Sequence, residues 1–172
     1  MNDTAASDLL RAGHRKFEKH LDSLLEALKH LNAERVADIR RDFAALQKPS
    51  HVHFEQEERI FYPAVRTLAQ LVLAQMEEEH STVRETEQGL EEMLADLFEM
   101  LPETPTQRDL GELYRLGIEF HDAVEVHIVD EEDYLLTLAD RVLSSDQQQD
   151  LAAGMLNISN LRSEETSLRE ES

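Results

Sequence analysis

The sequence contains the motif H-x-x-x-E-E twice, at residues 53–58 and 127–132. On a helix, residues four positions apart share a face, so each copy places an imidazole next to a carboxylate: His53 beside Glu57, and His127 beside Glu131. Imidazole nitrogen and carboxylate oxygen are ligands that suit iron, manganese or zinc. The repeat therefore predicts a metal site that takes one His/Glu pair from each of two helices.

Two further histidines occupy similar positions on other segments. His14 and His80 each fall in register with apolar residues three, four or seven positions away, so both should face a core. Buried glutamates are costly unless their charge is compensated, and two metal ions would compensate Glu57 and Glu131. Six side chains exceed what one tetrahedral zinc takes, which favours two ions joined by bridging carboxylates. The predicted ligands are His14, His53, Glu57, His80, His127 and Glu131.

Four other residues are candidates for an additional ligand or for a hydrogen-bond partner near the metal. Glu87 lies two turns after His80 on the same stripe. The alternative interpretation is that Glu87 is a semi-exposed residue late in the helix, with no contact to the metal. His121 lies about a third of a turn off the stripe of His127, which favours a place beside the site or at the surface. For the two tyrosines that follow the motifs, packing in the core is the alternative. The four residues are Glu87, His121, Tyr62 and Tyr134.

The spacing of the apolar residues and the positions of helix-starting and helix-ending residues predict four long amphipathic helices and a shorter fifth. Pro49 should kink or interrupt the second helix, and Pro63 should end it, because proline donates no backbone hydrogen bond. Thr106 is the predicted N-cap of the fourth helix. The predicted fold class is all-α, an antiparallel up-down four-helix bundle with a short fifth C-terminal helix. The predicted helices cover about 7–31, 33–63, 68–100, 106–138 and 145–160.

With 172 residues, the chain is long enough for one domain with a real hydrophobic core. We expect one bundle domain over residues 1–160 and a flexible C-terminal tail over residues 161–172, because the Ser/Glu/Arg-rich tail has little to bury. The absence of cysteine excludes disulfides, thiolate metal sites and cysteine nucleophiles.

The formal charge of −20 lies mostly after residue 50, and no lysine occurs after Lys48. Such a surface repels phosphate backbones, so we expect no nucleic-acid partner. No apolar run approaches the roughly 20 residues that span a bilayer, so we expect no membrane partner. The first residues lack the basic and apolar regions of a signal peptide, so we expect a cytoplasmic protein.

With these motifs, the chain resembles the hemerythrin-like, or HHE cation-binding, family over about residues 10–138. The resemblance rests on the two H-x-x-x-E-E motifs together with His14 and His80. It implies a centre of two non-haem irons with an oxo or hydroxo bridge, in which Glu57 and Glu131 bridge the irons. It also implies that O2, NO or peroxide binds at an open iron position.

The sequence departs from true hemerythrins in two ways. Those proteins place a second histidine one turn from the third-helix histidine, where this chain has Met76 and Arg84. They also end the fourth-helix motif with H-x-x-x-x-D, whereas this chain has H-x-x-x-E. One histidine fewer leaves an iron more open to water or exogenous ligands. Oxidative or peroxide chemistry, or sensing, is therefore favoured over simple reversible O2 carriage.

The leading functional hypothesis is a cytoplasmic di-iron protein that binds or senses O2, NO or iron, with zinc or manganese as alternative metals. A second is a di-iron oxidase, a peroxidase-type enzyme or a stress-repair factor. Only Glu77-x-x-His80 matches the E-x-x-H pattern of ferritin-like oxidases, and the cysteine-containing segment of the repair relatives is missing. The third is a metal-stabilised helical module that binds a protein partner. The oligomeric state and any enzymatic activity stay open at this point.

Overall fold

The structure, a computed structural model, describes residues 4–99 and 104–170, with no side-chain description for residues 165–170. In these ranges every regular element is helical, which confirms the predicted all-α class. The antiparallel up-down order of the helices stays a prediction. The helices are α1 (Ala6–Lys29), α2 (Val36–Gln56), α3 (Tyr62–Val65), α4 (Gln70–Glu99), α5 (Gln107–Asp130), α6 (Thr137–Val142) and α7 (Ser145–Glu170), with π-helical segments π1 (Glu57–Phe61) and π2 (Glu131–Leu136) and a 3-10 turn (Ala33–Arg35).

Side-chain caps begin two of these elements where the sequence has capping residues. The Asn32 side chain accepts hydrogen bonds from the backbone N–H groups of Glu34 and Arg35 at the 3-10 turn. Thr106 accepts from the backbone N–H of Asp109 at 3.2 Å, and the Asp109 carboxylate accepts from the backbone N–H of Thr106 at 2.8 Å. This reciprocal pair is a capping box, and it confirms Thr106 as the N-cap of α5.

The two prolines of the second helical segment behave differently. Helix α2 runs through Pro49, so of the two predicted effects the interruption is wrong and the kink stays a prediction. Leu46 and His53, which are buried on either side of it, hold the helix against the bundle, and this packing outweighs the roughly 3 kcal/mol cost of an internal proline. Pro63 lies in α3, which ends two residues later at Val65, as predicted.

The fifth helix, α7, is longer than predicted, because it continues from Ser145 to Glu170. It packs against α1 and α2. The Gln56 side chain donates to the backbone carbonyl of Met155 at 2.8 Å, and Arg162 donates to Glu55 at 2.7 Å, so these contacts hold α7 well past its midpoint. The flexibility of the tail stays a prediction, and residues 171–172 lie outside the described part of the chain.

The core of the bundle is divided along its length into two apolar clusters. On α4, Met76 belongs to one cluster and Val83 to the other, and His80 lies between them. On α1, on α2 with π1, and on α5 with π2, the polar residues likewise lie between residues of the two apolar clusters. A buried polar layer therefore crosses the bundle between two apolar ones. Its members are His14, His53, Glu57, His80, His127 and Glu131.

None of the described helices combines the length and the apolar character that a membrane-spanning segment needs. Helix α1 packs on α2 and α5, and α5 packs on α4, whereas α2 and α4 contact each other little. This loose α2–α4 seam passes close to the polar layer.

Candidate metal centre

The structure gathers the six predicted ligands into two adjoining groups that share Glu57. Within each group the candidate ligand atoms lie within 4.8 Å of one another. No more than 4% of any of the six residues is exposed. The predicted residues thus lie together, and metal binding by them stays a proposal. The first group is His14, His53, Glu57 and Glu131, and the second is Glu57, His80 and His127.

The carboxylate of Glu57 faces both groups at once. Its Oε1 lies 2.6 Å from Nε2 of His53, and its Oε2 lies 3.1 Å from Nε2 of His80. In the first group, Nε2 of His14 lies 3.1 Å from Oε2 of Glu131. Glu57 is therefore placed to bridge two ions, whereas Glu131 belongs to the first group only.

Six inward-facing atoms of this cluster lack hydrogen-bond partners among the described residues. They are both carboxylate oxygens of Glu57 and of Glu131 and the Nε2 atoms of His14 and His53, whereas Nε2 of His80 and Nε2 of His127 lie 3.2 Å apart as hydrogen-bond partners. A buried polar atom without a partner costs about 1–3 kcal/mol, and more if it is charged. Divalent cations compensate such atoms by coordination, and neutral imidazoles with carboxylates suit iron, manganese or zinc. The donor set therefore fits a pair of divalent ions.

The second glutamate of each motif holds a histidine from another helix. Nδ1 of His14 donates to Glu132 at 2.9 Å, and Nδ1 of His80 donates to Glu58 at 2.8 Å. Because a carboxylate only accepts, Nδ1 carries a proton, and in the neutral imidazole the lone pair of Nε2 then points into the cluster. Outer carboxylates of this kind orient metal-binding imidazoles and raise their basicity. The repeated second glutamate was the sequence signal for this role, which sequence reasoning missed.

A comparison with protein-family models agrees with this geometry. The model of the hemerythrin HHE cation-binding domain matches residues 5–139, which is most of the chain. The chain belongs to the hemerythrin HHE cation-binding domain family. No curated protein and no solved structure matches it.

The other two imidazoles of this hemerythrin-like domain are held in different ways. Nδ1 of His127 donates to Glu79 on α4 at 3.3 Å. The ring of His53 packs directly against Gly13 on α1, where a Cβ atom would lie 2.6 Å from Nδ1. The close approach of His53 to α1 thus depends on a residue without a side chain.

Gly13→Ala is expected to reduce the metal content of the first group. A methyl group there would lie 2.6 and 2.8 Å from two atoms of the buried His53 ring, so the ring must move and take Nε2 with it. We expect about one metal ion fewer per chain by elemental analysis. Gly111→Ala is the control, because a Cβ atom there would point into open space. It should keep full metal content and add up to about 1 kcal/mol of helix stability. Full metal content in Gly13→Ala would contradict the role of this contact.

Both motifs continue directly into π-helical segments, which begin at Glu57 and at Glu131. The wider π turn changes the register, so two successive residues become buried eight and nine positions after each motif histidine: Phe61 with Tyr62, and Leu135 with Leu136. Single π turns within helices are frequent at functional sites. The hemerythrin-like domain thus repeats the same distortion on both motif helices.

This register separates the two tyrosines. Tyr62 is buried, and its hydroxyl donates to Nε2 of His80 at 3.2 Å, so it borders the second ligand group. Tyr134 is 58% exposed, and its predicted place near the metal or in the core is wrong. It lies seven positions after its motif histidine, equivalent to the partly buried Ile60, and the π turn rotates this position away from the core.

Glu87 and His121 lie outside both ligand groups. Glu87 is buried, and its carboxylate lies 2.9 Å from Nε2 of His51, across the α2–α4 seam. His121 is largely buried, and its Nδ1 donates to the neighbouring Asp122 at 3.0 Å. Neither position indicates a ligand of the central cluster.

The two central carboxylates have opposite pKa shifts. Burial and the charge of Glu131 raise the pKa of Glu57 to about 7. Burial acts in the same direction on Glu131, but the facing imidazoles of His14 and His127 outweigh it and lower its pKa to about 2. Burial also lowers the pKa of His53 well below its ordinary value, which keeps this ring neutral and able to coordinate.

Metal affinity of the hemerythrin-like domain is expected to rise between pH 6 and pH 8. Glu57, with a pKa of about 7, must lose its proton to coordinate. The pKa of His14 is also raised, because nearby carboxylates outweigh the effect of burial, so protons compete with metal here too. Each released proton contributes up to about tenfold in affinity per pH unit below the pKa. Competition titrations with a chelator at several pH values measure this slope, and an affinity that is flat over this range would contradict the expectation.

Proposed function

We propose that this hemerythrin-like domain binds two iron ions in the cytoplasm and uses them to bind or sense O2 or NO. The observation that carries the proposal is the pair of buried donor groups joined through the two oxygens of Glu57. The first ion would be held by His14, His53 and Glu131, and the second by His80 and His127. Iron would supply redox chemistry and an affinity for diatomic ligands.

The two proposed positions are unequal, and this difference favours ligand binding at one of them. The first group offers four donor residues and the second only three, including the shared Glu57. Iron commonly takes five or six ligands, so the second position is the more open. The Tyr62 hydroxyl, next to His80, lies on this side and can donate a hydrogen bond there.

The chain's own residues have definable tasks in this proposal. The outer carboxylates of Glu58 and Glu132 hold the imidazoles in the coordinating tautomer. The apolar clusters on both sides exclude water from the polar layer, which strengthens electrostatic interactions inside it.

Rapid mixing of the reduced, iron-loaded protein with O2 or NO tests the proposal. We expect a change in the charge-transfer region of the spectrum. His80→Ala, which removes a donor from the more open position, should abolish most of this change, whereas His53→Ala should affect it less. An iron-loaded protein whose spectrum does not respond to either gas would contradict the gas-binding function. Zinc or manganese in place of iron would contradict the choice of metal.

A further inference from the structure

Helix α7 lies outside the part of the chain that matches the hemerythrin family model, because it begins at Ser145 and the match ends at residue 139. It nevertheless packs against α1, α2 and π1, which carry three of the proposed ligands. The residues of α7 that make these contacts recur every three or four positions, so they share one face of the helix. They are Gln148, Ala152, Met155, Ser159 and Arg162.

The most direct of these contacts is made by the residue that precedes Glu57. Gln56 is the last residue of α2, and π1 begins at Glu57. The side-chain amide of Gln56 donates to the backbone carbonyl of Met155 at 2.8 Å and to the hydroxyl of Ser159 at 2.9 Å. Helix α7 therefore holds the chain at the point where the α-helix changes to a π-helix and the bridging carboxylate begins.

Two further contacts hold the chain on either side of Glu57. Before it, Glu55 accepts a hydrogen bond from Arg162 at 2.7 Å. After it, Ile60 of π1 packs against Gly154, where a Cβ atom would lie 3.3 Å from Cγ2 of Ile60. The absence of a side chain at this position lets α7 approach π1 closely. Helix α7 thus contacts the residues before and after this proposed ligand.

The apolar residues of α7 also pack with the side chains that the π turn directs inward. Ala152 and Met155 belong to the same buried cluster as Phe61 and Tyr62. Those two aromatic residues are buried one after the other because π1 follows Glu57. Docking of α7 and the register of π1 therefore support each other, since both bury the same cluster.

We propose that α7 positions the carboxylate of Glu57 through Gln56, so that docking of α7 and filling of the metal centre strengthen each other. This inference rests on the proposed metal-binding function, and it adds a positioning residue and a helix from outside the family domain that responds to the metal. Gln56 acts through Glu57 and does not coordinate an ion.

The coupling has a physical cause in the charge of the centre. Without metal, the carboxylates of Glu57 and Glu131 repel each other, which favours movement of Glu57 away from its position. Cations remove this repulsion, so contacts that hold Glu57 in place are stronger in the filled state. A coupling of this kind between two binding events is reciprocal.

Titration of the metal-free protein with Co²⁺, in competition with a chelator, tests the proposal. Cobalt is the probe because its visible absorption also reports the coordination geometry. Gln56→Leu removes both hydrogen bonds at similar size, and it should weaken Co²⁺ binding about three- to tenfold and alter the spectrum. Ser159→Ala removes one acceptor and should have a smaller effect of about two- to threefold, whereas Ser159→Thr keeps the hydroxyl and should retain the affinity.

Gln88→Leu is the matched control. It makes the same chemical change at an exposed glutamine of α4, whose side chain donates to Glu92 at 2.8 Å. The affinity for Co²⁺ and the cobalt spectrum should both stay unchanged in this variant.

Hydrogen exchange of the α7 amides measures the same coupling from the other side. Co²⁺ should slow exchange over residues 148–159 of the unmodified protein. In Gln56→Leu the metal should slow it several-fold less, because the coupling is reciprocal. A purely structural Gln56 would lower the unfolding midpoint of the protein but leave the effect of metal on α7 unchanged.

The other possible results are distinguishable from one another. If Gln56→Leu lowers only the stability and keeps the affinity for Co²⁺ and the cobalt spectrum, α7 does not position Glu57 and the inference is wrong. The same follows if metal leaves exchange in α7 unchanged. Both results leave the metal-binding function standing. A protein that binds neither Co²⁺ nor iron would overturn the proposed function, and this inference with it.

Discussion

Glu57→Gln is expected to remove both metal ions, whereas Glu131→Gln removes only one. The two oxygens of Glu57 face different ligand groups, and Glu131 belongs to the first group alone. An amide presents one oxygen and one NH2 group, so it cannot bridge two cations. Elemental analysis of the purified variants measures the difference. Glu58→Gln is the matched control, because it weakens only the hydrogen bond that orients His80. It should lower the metal affinity about 10- to 100-fold, but the variant should keep both ions when metal is in excess.

The same substitution should have the opposite effect on the metal-free protein. Burial and the charge of Glu131 raise the pKa of Glu57 to about 7, against 4.5 in the unfolded chain. The folded state therefore favours protonated Glu57, and stability is lost as pH rises through about 7. At pH 8 a neutral glutamine avoids a cost of up to about 3 kcal/mol. Denaturant unfolding in chelator should thus find Glu57→Gln more stable than the unmodified protein; a large destabilisation would indicate a purely structural glutamate.

Removal of the metal from the unmodified protein is expected to lower its stability by several kcal/mol. The carboxylate oxygens of Glu57 and Glu131 lack hydrogen-bond partners among the described residues, and the two carboxylates repel each other. Each site that is filled at a 1,000-fold excess over its dissociation constant contributes about 4 kcal/mol. Thermal or denaturant unfolding, followed by circular dichroism with and without chelator, measures the loss.

Helical content should nevertheless stay high in chelator at low temperature, because two apolar clusters flank the polar layer. The double variant His53→Ala/His80→Ala, which lacks one donor in each group, is the control and should not respond to chelator. An unmodified protein with the same unfolding midpoint in both conditions would contradict the stabilising role of the metal.

The six central residues were predictable from the sequence because they interrupt apolar stripes. Glu57 and Glu131 stand where a helix of period 3.6 requires an apolar residue, and such a position needs a compensating charge. The spans of the four long helices followed from the same period, whereas α7 continues beyond its predicted end. The expected effect of Pro49 on the second helix was too large. The free-energy cost of a proline inside a helix is offset here by the burial of side chains before and after it in α2.

Other features of the site were not predictable from the period alone. A π turn adds one residue to a helical turn, and a fixed period of 3.6 cannot show where this happens. This is why Tyr134 was expected near the metal or in the core although it lies at the surface. The role of Gly13 depends on which helices become neighbours, and spacing within one helix carries no information about that.

Metal content of the protein, purified aerobically from iron-supplemented cells, tests the central claim most directly. Elemental analysis with an electronic spectrum should find about two irons per chain and near-ultraviolet charge-transfer bands, because two buried donor groups share Glu57. A metal-free or single-zinc protein that stays fully helical would contradict the claim, and would make the inward histidines structural.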